Sequence, residues 1–222
     1  MCPQTMVCVP IFRTDLDSAQ KTVNKALKLG ADLVELRIDA LKNPDVDKII
    51  NFMDNLECRV IATNRMVKEG GLFNGSENER TKILKDVSKH ADYVDIEMHT
   101  DPELRNKVVK SSKNSIISYH NFKKTPSVAE LLKIVQLEKE IGDLAKFAVM
   151  PQNIGDTLKV LEVLLKVDDT IAISMGELGS YTRVTASLFG SPITYAAIDD
   201  GSAPGQMDIK STRLFLSKFG GE

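Results

Sequence analysis

The sequence predicts a (β/α)8 TIM barrel, with residues 1–222 forming a single domain. Three observations carry that expectation. Short runs rich in β-branched and apolar residues recur about every 20 to 35 positions. Each is followed by a longer amphipathic stretch, the alternation that βα units require. No proline-rich or serine-rich linker and no low-complexity tract divides the 222 residues.

The strand candidates, in order, are Met6–Ile11, Leu33–Asp39, Val60–Arg65, Tyr93–Met98, Ser115–His120, Ala145–Met150, Thr170–Met175 and Ile193–Ile198. Helical patterns begin near Leu16, Pro44, Glu77, Pro102, Ser127, Ile154, Tyr181 and Met207. Asp15 is placed to cap the first helix, and Pro44 and Pro102 fall where a missing N–H is harmless. Gly30 and Gly142 are placed to end helices. Parallel strands alternating with helices either close into a barrel, which removes exposed edges, or form an open doubly wound sheet. No Gly-x-Gly-x-x-Gly fingerprint follows the first strand, which weakens the open sheet as a dinucleotide binder.

Composition narrows the partners. The formal net charge is −2, from 29 basic and 31 acidic residues. Their signs are interspersed, so no long field of one sign exists to attract nucleic acid or an anionic membrane. No apolar run reaches the roughly 20 residues that span a bilayer, and no basic segment with an apolar stretch opens the chain. A small-molecule partner and a cytoplasmic location are expected. Cys2, Cys8 and Cys58 are odd in number and lack metal-ligand spacing, which argues against a disulfide framework or a zinc site. The segment 68–78 contains Gly70, Gly71 and Gly75 and is a candidate lid or an ordinary surface connection.

Side chains two apart on a strand share a face. Glu35 and Arg37 therefore lie together, with Val34, Leu36 and Ile38 opposite. Thr63 and Arg65, Asp95 and Glu97, and Ser118 and His120 repeat the theme on the next three strands. Charged residues facing a lumen and apolar residues facing helices suit a barrel whose active site lies in its C-terminal mouth. An internal salt-bridge network that only supports the barrel would leave the same pattern.

Lys146 sits inside the apolar run Leu144–Met150, on the face of Ala148 and Met150. Its amine must lie within the barrel, where desolvation and nearby arginines disfavour the ammonium and expose a nucleophile fit for a Schiff base. The alternative is a lysine paired permanently with Asp95 or Glu97. His120 closes the adjacent strand, about 4.8 Å away, and histidine can take a proton in one step and return it in the next. Arg183, after the seventh strand, is placed to pair with a carboxylate. Ser202–Ala203–Pro204–Gly205–Gln206 leads into the last helix, whose N–H groups can meet an anion.

Taken together, these motifs resemble the type I 3-dehydroquinate dehydratases, the imine-forming dehydratases of the shikimate pathway. The resemblance spans nearly the whole chain. It rests on Glu35–Asp39, on Arg65 with Glu69–Gly70–Gly71, and on Asp95–Ile96–Glu97. It continues through Ser118–Phe122, Lys146–Gln152, Ser174–Met175–Gly176 with Arg183, and Ser202–Gln206. It implies that Lys146 forms the imine, that His120 is the general acid and base, and that Glu69 is the carboxylate paired with it. It further implies that Glu35, Arg37 and Arg65 contact substrate hydroxyls and neighbouring polar groups, and that Arg183, Ser202 and Gln206 hold the substrate carboxylate. The implied substrate is 3-dehydroquinate, lost water leaves by syn elimination, no metal or organic cofactor is needed, and the assembly is a homodimer. Strand 1 begins within the first handful of residues, without the N-terminal hairpin that covers the barrel bottom in some members. Two other functions fit parts of the pattern: a class I aldolase, which also uses a lumen lysine, and a non-catalytic barrel that binds a carboxylated metabolite or a protein.

Overall fold

The apolar runs become strands because their alternate residues find two dry environments, one against the helices and one inside the barrel. The computed structural model describes residues 5–198 and 205–219. Its strands are β1 (Met6–Ile11), β2 (Leu33–Arg37), β3 (Arg59–Thr63), β4 (Tyr93–Glu97), β5 (Ser115–Asn121), β6 (Leu144–Val149), β7 (Thr170–Ser174) and β8 (Ile193–Tyr195). The helices that follow them are α1 (Leu16–Lys28), α2 (Val46–Asp54), α3 (Glu77–Val87), α4 (Pro102–Ser111), α5 (Val128–Ile141), α6 (Ile154–Leu164), α7 (Thr182–Thr185) and α8 (Ile209–Phe219). All neighbouring strands pair in parallel, in the order β7-β6-β5-β4-β3-β2-β1-β8. The result is a nearly closed barrel with β7 and β8 at the two ends of the ladder.

Local chemistry sets the helix boundaries. Asp15 accepts from the Ser18 N–H to start α1, and Ser76 and Ser127 form reciprocal capping boxes with Glu79 and Glu130 at α3 and α5. Pro102 opens α4 behind the Asp101 cap, whereas Pro44 lies outside α2, which Asp45 caps. Gly30 takes φ +98° just past α1, where its N–H and that of Ala31 satisfy the carbonyls of Leu27 and Ala26. Gly142 ends α5 in extended backbone instead.

Two apolar layers result. Val7, Val9, Val34, Leu36, Val60, Val94 and Ile96 point outward to the helices. Cys8, Leu33, Ile61, Ile116, Ile171 and Ile193 point inward and fill the lower lumen. Cys8 and Cys58 are free thiols. Among the described residues, no helix is long and apolar enough to cross a membrane.

Three departures from expectation bear on the site. β2 stops at Arg37 because Ile38–Ala40 turns into a short 3-10 helix, which brings the Asp39 carboxylate back toward Arg37 and the Arg65 and Leu72 N–H groups. β8 pairs only through Tyr195, after which Ala197 bridges to Asp208 at the entry to α8. The seventh helix is one turn, continued by a 3-10 turn, Ala186–Phe189.

Candidate active site

The inward-facing row changes character toward the C-terminal mouth of the barrel. Two positions above Leu33, Ile61, Ile116 and Leu144 stand Glu35, Thr63, Ser118 and Lys146. A cavity of about 240 Å³ opens over this second layer. Its walls include Glu35, Arg37 and Arg65 from β2 and the end of β3, His120 and Lys146 from β5 and β6, and Arg183 with Gln206 beyond β7 and β8. Glu69 reaches it from the β3–α3 loop. Ser202 lies outside the described residues.

Lys146 is 4% exposed, so its amine is committed to protein groups. Nζ donates to Asp95 Oδ2 at 2.7 Å and to the Tyr195 hydroxyl at 3.0 Å, and lies 3.9 Å from Glu35 Oε1. The arginines expected around the amine are one step removed. Arg65 meets Lys146 through their shared partner Asp95, which it binds at 2.6 Å. Burial raises the Asp95 carboxyl, but Arg65 and Lys146 outweigh it and hold the group well below the ordinary carboxylate range. Ser118 donates to Asp95 Oδ1, the oxygen that also takes Arg65, at 2.7 Å.

Glu97 points elsewhere. It takes Arg80 Nη1 at 2.5 Å and lies 3.2 Å from Arg65 Nη1 and from the Met66 N–H. Of the two strand-4 carboxylates, Asp95 is therefore the one that holds the lysine. Arg80, fully buried on α3, locks Glu97 to Glu77 and Thr100. Arg65 thus spends its donors on Ser118 and two carboxylates, and presents only part of its surface to the cavity.

His120 and Glu69 form a second unit. Nδ1 of the imidazole lies 2.9 Å from Glu69 Oε2. Burial, then the positive charges of Arg65 and Lys146, push the histidine well below 6.5 and keep it neutral. Burial lifts the Glu69 carboxyl to about 7, so this group gains or loses its charge near neutrality. With Nδ1 facing the carboxylate, Nε2 is the nitrogen left for the cavity.

The loop that carries Glu69 is clamped rather than loose. Gly71 N–H meets Met66 O at 3.0 Å, Phe73 N–H meets Arg65 O at 3.1 Å, and Leu72 N–H meets Asp39 Oδ2 at 3.0 Å. Gly70 has φ +77°, and any side chain there would overlap the Phe122 ring. Phe122 in turn lies parallel to the His120 ring, with 6.3 Å between centroids. Glycine at this point lets the loop press Glu69, Phe122 and His120 together.

Arg37 is held by two hydrogen bonds to Asp39, at 2.9 and 2.6 Å, which aim its outer edge at the mouth. Arg183 is 5% exposed, and burial pushes its guanidinium down to about 10, still charged at neutral pH. The sequence pattern alone assigns no role to Tyr195, Arg80 or Asp39. Tyr195 reads as part of an apolar strand, and Arg80 as a polar position on an amphipathic helix.

These features define a (β/α)8 barrel with a buried lysine and a histidine–carboxylate pair at one C-terminal cavity. A family model for type I 3-dehydroquinase matches residues 7–221, and the chain belongs to that family. It is 50% identical over 215 residues to the 3-dehydroquinate dehydratase of Methanothermobacter thermautotrophicus, covering 97% of each chain. The Methanobrevibacter smithii 3-dehydroquinate dehydratase is 45% identical, with 98% of this chain and 97% of that one covered. The type I 3-dehydroquinate dehydratase of Clostridium difficile, solved with covalent modified comenic acid, superposes with a TM-score of 0.90 at 29% identity, over 98% of this chain and 93% of that one.

Proposed function

We propose that the chain is a hydro-lyase that dehydrates 3-dehydroquinate to 3-dehydroshikimate through an imine on Lys146. The observation that carries this reading is the convergence of a 4%-exposed lysine and a neutral, carboxylate-bound histidine on one cavity, in a chain of the type I 3-dehydroquinase family.

The proton held on Nζ passes to the neutral His120, and the freed amine attacks the C3 ketone. The imidazolium returns that proton to the carbinolamine oxygen, water departs, and a protonated imine remains. This imine is an electron sink, so His120 can remove a proton from C2 and leave an enamine. The same imidazolium then protonates the C1 hydroxyl, which leaves as water, and hydrolysis frees Lys146. One base acting at C2 and then at C1 from the same face gives syn elimination. Glu69 matches each change of charge on His120, since its own carboxyl titrates at about 7. Asp95 stays ionised throughout and orients the amine. Arg183 and Gln206 hold the substrate carboxylate, and Glu35 and Arg37 meet its hydroxyls. The covalent nitrogen carries the charge that a metal ion would otherwise stabilise.

Incubation with 3-dehydroquinate and sodium borohydride, followed by intact-mass measurement and peptide mapping, tests chemistry and site together. The expected result is a reduced adduct on Lys146. Turnover without an adduct would remove the imine from the mechanism. Binding without turnover or adduct would make the barrel a carrier.

A further inference from the structure

The Tyr195 hydroxyl touches the reacting nitrogen and has no task in the scheme above. The ring stands in the lumen layer, 5% exposed, on the cavity wall. Its oxygen accepts from Lys146 Nζ at 3.0 Å. A phenol also has a hydrogen to give. Among the described residues that hydrogen has no acceptor, although the hydroxyl lies at the cavity where the substrate ketone must meet Nζ. The nitrogen is thus bracketed by two oxygens of different kind: Asp95, which only accepts, and Tyr195, which accepts on one side while offering a proton on the other.

Attack of a neutral amine on a ketone leaves a zwitterion, with an ammonium nitrogen and an alkoxide on the same carbon. One proton must cross from nitrogen to oxygen before water can be expelled. Direct transfer closes a strained four-membered ring. A hydroxyl beside the nitrogen turns it into a six-membered array of nitrogen, hydrogen, phenol oxygen, hydrogen, alkoxide oxygen and carbon.

We propose that Tyr195 is a catalytic residue of this kind, relaying a proton from Nζ to the carbinolamine oxygen during imine formation and in the reverse sense during hydrolysis. Nζ loses one proton to the phenol oxygen as the phenol gives its own to the alkoxide, so the tyrosine ends as it began and no charge is created. Burial and the nearby Glu35 carboxylate push the phenol well above its ordinary value, which keeps it a conduit that does not ionise. The inference rests on the imine reading, and its test separates the two.

Wild type and Tyr195→Phe, which loses only the hydroxyl, are mixed with 3-dehydroquinate and quenched with borohydride at increasing times. The Lys146 adduct is followed by mass in mixtures of light and heavy water. Wild type is expected to form the adduct at a rate that bows downward with deuterium fraction, the mark of two protons in flight. Tyr195→Phe is expected to form the same adduct at least about tenfold more slowly, with a linear dependence. An adduct formed by Tyr195→Phe at the wild-type rate overturns the relay and leaves the imine standing. No adduct in wild type removes both. Should the variant not fold, the wild-type dependence alone decides, since a straight line excludes the relay. A variant that is slow but keeps the bowed curve would show that the hydroxyl only positions the lysine, and would likewise overturn it.

Discussion

The lower and upper layers of the lumen are built on the same strands, two residues apart, and do opposite work. Below, Leu33, Ile61 and Ile116, with the partly buried Leu144 against them, close the barrel with apolar volume. Above, Glu35, Thr63, Ser118 and Lys146 carry polar groups at nearly the same depth of burial. Each lower side chain gains about 1.5–3 kcal/mol on leaving water. Each upper charge loses solvation on the same move and persists only because it is paired. The lower layer is thus a support, and the upper layer is a set of charged and hydroxyl groups that the support holds at fixed distances.

Substitution at Lys146 separates the layers most sharply. Lys146→Ala should abolish nearly all turnover in a folded protein, because Asp95 keeps Arg65 and Ser118 as partners. Lys146→Arg should not restore it, since a guanidinium stays protonated and cannot form an imine. Steady-state assays of the two variants check this, and substantial turnover by either would place the chemistry on another residue.

His120→Ala should come next, with a fall in kcat of about 10²–10⁴-fold. The nucleophile remains, so a borohydride adduct on Lys146 should still be found in this variant at long incubation. Unchanged turnover would take His120 out of the mechanism.

A smaller effect is expected from pH. The active form of His120 is the neutral one, and burial with Arg65 and Lys146 has moved its titration downward. Protonation therefore begins only after the pH has fallen past the ordinary histidine value of about 6.5. In Glu69→Gln, which removes the neighbouring carboxyl that itself titrates at about 7, the acid limb of kcat/KM should lie below that value, and a limb above it would contradict the electrostatics of the site.

Much of this arrangement was legible in the sequence because a strand repeats every two residues. Placing Glu35 with Arg37, or Ser118 with His120, needs only that period, and every strand and helix start fell within two residues of its expected position. Contacts across the lumen do not follow from any period. Asp95 and Lys146 are 51 residues apart, and the choice between Asp95 and Glu97 was settled by Arg80, whose long side chain crosses from α3 to take Glu97 away. The pairing of Glu69 with His120 came from family resemblance. Composition of the loop left a lid and an ordinary surface connection both open, because glycines that press a loop inward and glycines that loosen it look alike in sequence. Tyr195 escaped because a tyrosine in a β-rich run looks like core until its hydroxyl is seen to have a partner.

The mildest change is the cleanest control on the comparison. Ile116 is fully buried in the lower layer, in register with Asp95 on one side and Leu144 on the other. Ile116→Val removes one methylene there and leaves every group of the upper layer in place, so it should cost about 0.5–1.5 kcal/mol of stability. For a chain of this size that lowers Tm by roughly 2–4 °C per kcal/mol, with kcat unchanged. Thermal unfolding and steady-state assays on the same sample measure both. A fall in kcat with little loss of Tm would mean that the apolar layer tunes the position of Asp95 and Lys146, and that support and chemistry are not separable in this barrel.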